Sequence, residues 1–307
     1  VLEKRLRAER GPAPLDGLCA DLFAAGGKRL RGLTTLIVGA AAGVPHEAAL
    51  ALAEAVELTH GATLLHDDVI DEADTRRGRM AARRRWSNTL SVLGGDYLLL
   101  RAIDAVGSLG VPALATFHRR TIDRLLGAEV AQHLATRSAE ISTDGYLAIA
   151  GGKTAALFAF AAAGPAVYAG DEAAAASLTR FGEGLGLAFQ IADDLRDLTG
   201  TEPGKPGCLD LTDGVLSLPL RLAAQADRGL AHDLRASLGR TLTPADAQAL
   251  ARRVLASDAP AGCLAIAAAH LLDSGEALRV LELPAAATPL GSVHAWLSAE
   301  LQGMSGA

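Results

Sequence analysis

Aromatic residues are scarce in this chain: Phe, Tyr and Trp make up 4% of its 307 residues, although half of the residues are apolar. Alanine and leucine are used heavily, and runs of β-branched residues are few. Both features favour helix over strand. The sequence therefore predicts an all-α protein, and a chain of this length can bury a large hydrophobic core.

Cysteine is also scarce, and its three residues are widely spaced without a CxxC pair. This pattern argues against a disulfide framework and a structural zinc site, and it fits a reducing compartment. No segment has the pattern of a signal peptide, and the longest uncharged stretch, 154–170, is interrupted by Gly164 and Pro165. We therefore expect a cytoplasmic protein without a membrane span, in which this stretch is a buried helix. The cysteines are Cys19, Cys208 and Cys263.

The chain has no excess of positive charge: its net charge at pH 7 is −6, and only four of its 29 basic residues are lysines. Binding to a nucleic-acid backbone depends on surface Lys and Arg, so we expect no nucleic-acid partner. Three of the four lysines follow glycine, namely Lys28, Lys153 and Lys205. A flexible cation beside permissive backbone is typical of a phosphate site, although Gly-Lys pairs also occur at ordinary helix ends.

Turn residues divide the chain into helical segments, without repeats, low-complexity segments or charged blocks. We interpret residues 1–307 as a single helical domain. Two glycines inside a helical pattern, Gly151 and Gly152, predict a kink that presents Lys153. The predicted helices are 14–25, 28–42, 45–72, 88–107, 111–135, 142–163, 171–198 and 215–226, followed by several shorter ones.

Two carboxylates stand four residues apart where the long helix 45–72 ends, in the segment LLHDDVID. Asp67 and Asp71 therefore lie on one face of that helix. Like charges at this spacing repel, and negative charge is disfavoured at a helix C-terminus. Divalent cations would relieve both effects, and Mg²⁺ in particular is held by one or two carboxylates together with substrate phosphates.

A second acidic segment, FQIADDLRD, ends another long apolar helix 126 residues later. Its Gln190, Asp194 and Asp197 lie on one stripe of the helix. A solvated acidic helix end would explain one such segment by itself. Two of them, each at the end of an apolar helix, indicate a shared function.

Basic residues accompany the acidic segments. Lys28 and Arg31 are predicted to lie one turn apart at the start of a helix, where the positive end of the dipole favours anions. His60 lies on the stripe of the first acidic pair, although a single helical histidine is usually a core residue. Arg76 and Arg77 follow the first acidic segment. Together these residues predict a substrate set with more than one diphosphate and an apolar remainder.

These segments resemble the trans-isoprenyl diphosphate synthases, or polyprenyl synthetase family, in order and spacing from residue 20 to residue 225. The resemblance implies an isoprenoid-synthase-type helical bundle around a central apolar cavity. It also implies head-to-tail condensation of isopentenyl diphosphate with geranyl, farnesyl or geranylgeranyl diphosphate, by a homodimer. The matching segments are GGKRLRG at 26–32, ELTHGATLLHDDVID at 57–71, RRG at 76–78, GGDYLL at 94–99, GGKT at 151–154 and GLAFQIADDLRD at 186–197.

The resemblance further implies a role for each site residue. The ligands of three Mg²⁺ ions would be Asp67, Asp71 and Asp193, and their supporting carboxylates would be Asp68, Asp194 and Asp197. The binders of isopentenyl diphosphate would be Lys28, Arg31, His60 and Arg77. The binders of the allylic diphosphate would be Arg76, Lys153 and Lys205. The oxygens facing the developing allylic cation would be those of Thr154 and Gln190.

The chain departs from the family pattern next to Gly214, where Val215 stands in place of a frequent lysine. This change predicts a weaker hold on the allylic diphosphate, although not an inactive protein. Gly32 also replaces the usual proline. Neither departure affects the acidic segments, which are complete.

The resemblance implies that growing products pass along the helix of the first acidic segment, so residues one turn before Asp67 act as a floor. Ala62 and Thr63 stand there, and Val56 and Thr59 farther down are also small. Small side chains leave volume for a longer chain, so we expect a product of around C30 to C50.

Two other interpretations remain at this point. A class I terpene cyclase shares the α fold and one acidic segment, but it would normally replace the second with an Asn/Ser/Glu motif and has no use for Lys28, Arg31 and His60. A non-catalytic regulatory subunit of a heteromeric synthase typically loses the acidic segments, and both are present here.

Overall fold

The structure is a computed structural model that describes residues 1–8, 11–76, 78–136, 142–200, 207–238, 242–279, 281 and 288–305. Within these ranges the regular structure is helical, as the composition predicts, except for one short antiparallel hairpin. The hairpin consists of β1 (Thr75–Arg76) and β2 (Arg79–Met80), and it pairs Thr75 with Met80.

The helices fall into two groups along the chain. The first group is α1 (Leu2–Leu6), α2 (Ala13–Ala24), α3 (Leu30–Ala41), α4 (His46–Ile70), α5 (Ala82–Arg85), α6 (Asn88–Gly107) and α7 (Pro112–Ala135). The second group is α8 (Thr143–Ala150), a π-helical turn (Gly151–Ala155), α9 (Ala156–Ala169), α10 (Glu172–Thr199), α11 (Leu209–Asp213), α12 (Leu218–Ala226), α13 (Arg228–Ser237), α14 (Pro244–Leu255), α15 (Ala259–Arg279) and α16 (Thr288–Ser305).

Three long apolar helices, α4, α9 and α10, form the centre of the hydrophobic core. Helix α4 packs against α3, α6 and α9, and helix α10 packs against α9 and α15. Helix α9 is buried on all sides from Ala156 to Ala166, which explains its almost uniformly apolar sequence. Because α4 and α10 both carry their acidic segments at their C-terminal ends, the core determines where the two segments lie.

Glycines allow α10 to approach α9 and the π-helical turn closely. A Cβ atom on Gly182 would lie 2.5 Å from the carbonyl oxygen of Phe158, and one on Gly186 would lie 2.5 Å from the Cα of Ala155. Neither position has room for a side chain. This contact brings Gln190, one turn after Gly186, beside the π-helical turn.

Two predicted helix starts are wrong by two or three residues. The helix predicted at 28–42 begins at Leu30, because Arg29 adopts the left-handed conformation with φ 49°. Lys28 therefore precedes the helix instead of lying in its first turn. The helix predicted at 215–226 begins at Leu218, after Gly214 in the left-handed conformation and Ser217 in an extended one.

The predicted helix 142–163 extends six residues farther, to Ala169, and Pro165 lies inside it. An internal proline removes a backbone hydrogen bond. The surrounding burial of α9 offsets that loss. The kink predicted at Gly151 and Gly152 takes the form of the π-helical turn, and such turns are frequent at functional sites.

Candidate active site

The first acidic segment lies at the C-terminal end of α4, and its three carboxylates have different surroundings. Asp68 is buried, and Nε of Arg76 in the hairpin donates a hydrogen bond to its Oδ1 over 2.6 Å. Asp67 is half-buried and Asp71 is exposed. Asp68 therefore fastens the hairpin to α4, whereas Asp67 and Asp71 are open to a ligand.

The ionised forms of the two open carboxylates, Asp67 and Asp71, are disfavoured by their surroundings. Burial raises the pKa of Asp67 to about 7 and also raises the pKa of Asp71. The nearby Lys153 ammonium opposes the rise at both groups, whereas Glu129 adds to it. Burial therefore makes the ionised forms of Asp67 and Asp71 unfavourable at this end of α4.

Lys153, in the π-helical turn, is the cation that lowers the pKa of Asp67 and of Asp71 most. Its Nζ lies 2.8 Å from Oε2 of Glu129 on α7. Burial disfavours the charged ammonium, but Asp67, Glu129 and Asp71 outweigh this effect and raise the pKa of Lys153. Lys153 is therefore a permanent cation between α7 and the end of α4.

A chain of hydrogen bonds connects α8, α10 and the π-helical turn. The Tyr146 hydroxyl donates to Oδ2 of Asp194 over 2.6 Å. Nε2 of Gln190 donates to Oδ1 of Asp194 over 2.9 Å, and Oγ1 of Thr154 donates to Oε1 of Gln190 over 2.6 Å. The backbone N–H of Leu218 also donates to Asp194, over 3.3 Å. Asp194 is thus a buried anchor that sets the direction of the Gln190 amide.

The other two carboxylates of the second acidic segment differ from each other. Asp197 is buried and accepts hydrogen bonds from the backbone N–H groups of Leu209 and Asp210, each over 3.1 Å, so it holds the start of α11. Asp193 is half-buried, and its Oδ1 lies 3.6 Å from a guanidinium nitrogen of Arg196. Asp193 is therefore the member of this segment that is open to a ligand.

One cavity of about 220 Å³ brings the two acidic segments together. Asp71 lines it from the first segment, Lys153 from the π-helical turn, and Gln190 and Asp194 from the second segment. The chain between α11 and α12 also contributes to its wall. Helices that are far apart in sequence thus place carboxylates, an amide and an ammonium around one space.

The residues expected to bind isopentenyl diphosphate lie around α3 and α4. Nζ of Lys28 is 4.5 Å from the ring centre of Trp296 on α16, and Cζ of Arg31 is 4.3 Å from the ring centre of Phe158 on α9. His60 is half-buried on α4. These cation–π contacts hold both basic side chains against the core. Arg77, also predicted to bind isopentenyl diphosphate, and Lys205, predicted to bind the allylic diphosphate, lie outside the described residues.

Sequence analysis missed several side chains that hold the predicted ones in place. Glu129 contacts Lys153, and Glu300 on α16 pairs with Arg196 beside Asp193. Neither has a sequence signal, because each lies far along the chain from its partner. Tyr146 had one: it stands two turns before Lys153 in the same predicted helix.

The donor set fits hard divalent cations. Among the residues that the structure describes, no group of three or more His, Cys, Asp or Glu side chains lies close enough together to hold a metal ion by itself. Asp67, Asp71 and Asp193 instead offer open oxygen ligands, and the raised pKa values of Asp67 and Asp71 mark charge that a cation would stabilise. Such open carboxylates hold a metal together with substrate phosphates.

Comparison with known proteins places the chain in a family. The family model for polyprenyl synthetase matches residues 12–254. The chain therefore belongs to the polyprenyl synthetase family, whose named members below are prenyltransferases with an all-α fold. The match confirms the resemblance and continues beyond residue 225, where the recognisable motifs end.

Three relatives illustrate the similarity. The heptaprenyl diphosphate synthase component 2 of Geobacillus stearothermophilus is 36% identical over 230 residues, which are 74% of this chain and 71% of that protein. The all-trans-nonaprenyl-diphosphate synthase (geranyl-diphosphate specific) of Rhodobacter capsulatus is 40% identical over 214 residues, 68% of this chain and 66% of that protein. The crystal structure of polyprenyl synthase from Caulobacter crescentus CB15, complexed with calcium and isoprenyl diphosphate, has a TM-score of 0.88 at 35% identity and covers 98% of this chain and 90% of that one.

We predict that Asp67→Asn stabilises the metal-free protein at alkaline pH. The folded-state pKa of Asp67, about 7, exceeds the value of about 3.9 in an unfolded chain, so the folded state keeps a proton that the unfolded state has lost. The contribution of Asp67 to stability therefore falls as pH rises between these two values, and the substitution removes that fall. Urea unfolding with a chelator, at pH values from about 5 to about 8, measures the difference.

Asp104→Asn is the matched control, because Asp104 is exposed on α6 away from the site. Added Mg²⁺ should raise the melting temperature of the wild type and of this control more than that of Asp67→Asn. Equal metal-induced shifts in all three proteins would contradict the assignment of Asp67 as a metal ligand.

Proposed function

We propose that this chain condenses isopentenyl diphosphate head to tail with geranyl, farnesyl or geranylgeranyl diphosphate, with Mg²⁺ as its cofactor. The observation that carries the proposal is the cavity shared by Asp71, Lys153, Gln190 and Asp194. A cation, an oxygen-bearing wall and an open carboxylate around one space suit a diphosphate whose C–O bond ionises.

Three open carboxylates, Asp67, Asp71 and Asp193, would hold three Mg²⁺ ions. Bound Mg²⁺ would stabilise the negative charge that accumulates on the leaving diphosphate. The raised pKa values of Asp67 and Asp71 support this assignment, because a bound cation would favour their ionised forms. The calcium and isoprenyl diphosphate in the Caulobacter crescentus structure support a divalent-cation site in the family.

The protein's own side chains would bind and orient the reacting groups. Lys153 would bind the allylic diphosphate as a point charge. Because Asp194 accepts from the amide nitrogen of Gln190, the Gln190 oxygen lies toward Thr154, and both oxygens would stabilise the allylic cation. The double bond of isopentenyl diphosphate attacks this cation, a C–C bond forms, and the released diphosphate removes the proton.

Alanine substitutions test the reaction and the ligands. Asp67→Ala and Asp193→Ala should each lower kcat by more than about tenfold, which is at least about 1.4 kcal/mol of transition-state stabilisation, and chelation should abolish turnover. Asp104→Ala, exposed on α6, is the control. A variant that keeps more than a tenth of the wild-type kcat would show that its carboxylate is not an essential ligand.

The same assay separates the alternatives. A terpene cyclase would consume an allylic diphosphate in the absence of isopentenyl diphosphate. A regulatory subunit would consume neither substrate by itself. The Geobacillus stearothermophilus relative is named as one component of its synthase, so the purified chain is the form that must be assayed.

A long-chain product, around C30 to C50, is the second part of the proposal. Ala62 is buried in α4 and Thr63 is half-buried, and both side chains, one turn before Asp67, are small. The heptaprenyl and nonaprenyl synthases among the relatives support a long product. Farther along α4, Thr59 bonds to His118 over 3.0 Å, and the His118 ring packs 5.0 Å from Phe160.

We predict that Ala62→Phe shortens the product, because the ring fills the volume that the growing chain needs. Chromatography of dephosphorylated products, with isopentenyl diphosphate in excess, measures chain length. Ala261→Phe, at an exposed position of α15, is the control and should leave the product unchanged. A wild-type product no longer than C20 would refute the long-chain proposal and leave the enzyme class intact.

We also infer a homodimer. Exposed apolar side chains form one stripe on α6, with Leu93, Leu100 and Ile103, and another on α7, with Leu126, Val130 and Leu134. Stripes of this kind are typical of a helix face that another protein surface covers, and a two-fold dimer covers them with a second copy.

The mass in solution tests this inference. Sedimentation should give about twice the 31.4 kDa of one chain, and Val130→Glu should shift the equilibrium toward monomer because it places a charge in the apolar face. Leu272→Glu, equally exposed on α15, should not. A monomeric wild type that is fully active would contradict the homodimer.

We further infer that residues 1–307 act as one domain in the cytoplasm. Helix α9 contacts α3, α4 and α7 of the first group of helices and α10 of the second group. Two helical stretches, His46–Ile70 and Thr143–Ala169, are long and apolar enough to cross a membrane. However, 83% and 72% of their most apolar windows are buried within the protein, which supports an internal role.

A further inference from the structure

Arg221 is a buried cation in the cavity of the two acidic segments, and no sequence motif pointed to it. It lies in the first turn of α12 and is 6% exposed. Burial disfavours its charge and lowers the pKa of the guanidinium, whereas Tyr146 and Asp194 favour the charge. Arginine nevertheless stays protonated under such conditions, so the cavity contains a positive charge at its α12 side.

Carboxylates outnumber cations among the residues that line the cavity, so each cation there matters for binding an anion. Four carboxylates line the cavity: Asp71, Asp194, Asp210 and Asp213. Among the lining residues, the cations are Lys153 and Arg221, and Lys153 already lies 2.8 Å from Glu129. An anionic ligand entering this space needs more positive charge than Lys153 provides.

Charge compensation of Asp194 does not by itself explain Arg221. The two oxygens of Asp194 already accept hydrogen bonds from Tyr146, Gln190 and the backbone of Leu218. A guanidinium carries five N–H donors in a planar fork that matches phosphate oxygens. A guanidinium can therefore interact with a neighbouring carboxylate and a phosphate together, and Arg221 lines the cavity in which a phosphate would lie.

We propose that Arg221 binds phosphate oxygens of the allylic diphosphate and supplies the positive charge that Val215 lacks. Val215 lines the same cavity with an apolar side chain. Val215 lies in the short connection from α11 into α12 and Arg221 lies in the first turn of α12, and both line the same cavity. That the ligand is the allylic substrate rests on the proposed function. That Arg221 binds a diphosphate does not.

Binding of inorganic diphosphate in the presence of Mg²⁺, measured by calorimetry, tests the contact without turnover. Arg221→Leu should weaken binding by about tenfold or more, the effect expected for loss of a charge-assisted contact, and Arg221→Lys should weaken it less. Adding Val215→Lys to Arg221→Leu should restore most of the affinity. Arg228→Leu, exposed on α13, is the control and should bind like the wild type.

Steady-state kinetics separates binding from positioning. Arg221→Leu should raise KM for the allylic diphosphate about tenfold and leave KM for isopentenyl diphosphate within about twofold. A lower kcat with unchanged diphosphate affinity, or a failure of Val215→Lys to restore affinity, would overturn the proposal. If circular dichroism shows that Arg221→Leu is unfolded, Arg221→Gln replaces it with the same expected loss and rescue.

The two proposals fail in different ways. Suppose that Arg221→Leu weakens diphosphate binding and Val215→Lys restores it, while the wild type forms no product. This result would support the contact and refute the proposed function. If the wild type forms product but Arg221→Leu binds diphosphate as well as the wild type does, only the contact is refuted.

Discussion

Desolvation of negative charge at the ends of two buried helices is the constraint on which this structure depends. Helices α4 and α10 are long and apolar, and each ends in three carboxylates. The protein stabilises three of the six with its own donors: Arg76 for Asp68, Tyr146 for Asp194, and backbone N–H groups for Asp197. The other three are more exposed, and under the proposed function they would bind Mg²⁺.

Close helix packing converts this constraint into a site. Gly182 and Gly186 allow α10 to contact α9 and the π-helical turn, because neither position has room for a side chain. These contacts bring Gln190 within hydrogen-bond distance of Thr154. The wider π-helical turn carries Lys153 to Glu129 on α7. Two glycines therefore set the spacing between α10 and the π-helical turn, and with it the contact between Gln190 and Thr154.

Much of this arrangement could be predicted from the sequence, because helical periodicity is local. Spacing alone placed Asp67 and Asp71 on one face, and the Gly-Gly pair located the irregular turn. Spacing could not show that Arg76 would bond to Asp68, or that Glu129 would pair with Lys153 and Glu300 with Arg196, since these contacts depend on tertiary packing. Nor could it place Arg221 in the wall of the cavity. The start of α3 was wrong for a related reason: the left-handed Arg29 donates hydrogen bonds to Glu3 and to the carbonyl oxygen of Phe23, and these contacts depend on tertiary packing.

Helix α16 contacts the site from outside the acidic segments, with Trp296 against Lys28 and Glu300 against Arg196. The ribosome delivers this helix after every helix that it contacts. A nascent chain can therefore assemble the core of α4, α9 and α10 while Lys28 and Arg196 still lack these neighbours. Full ordering of the site then follows synthesis of α16, so the order of translation separates folding of the core from completion of the site.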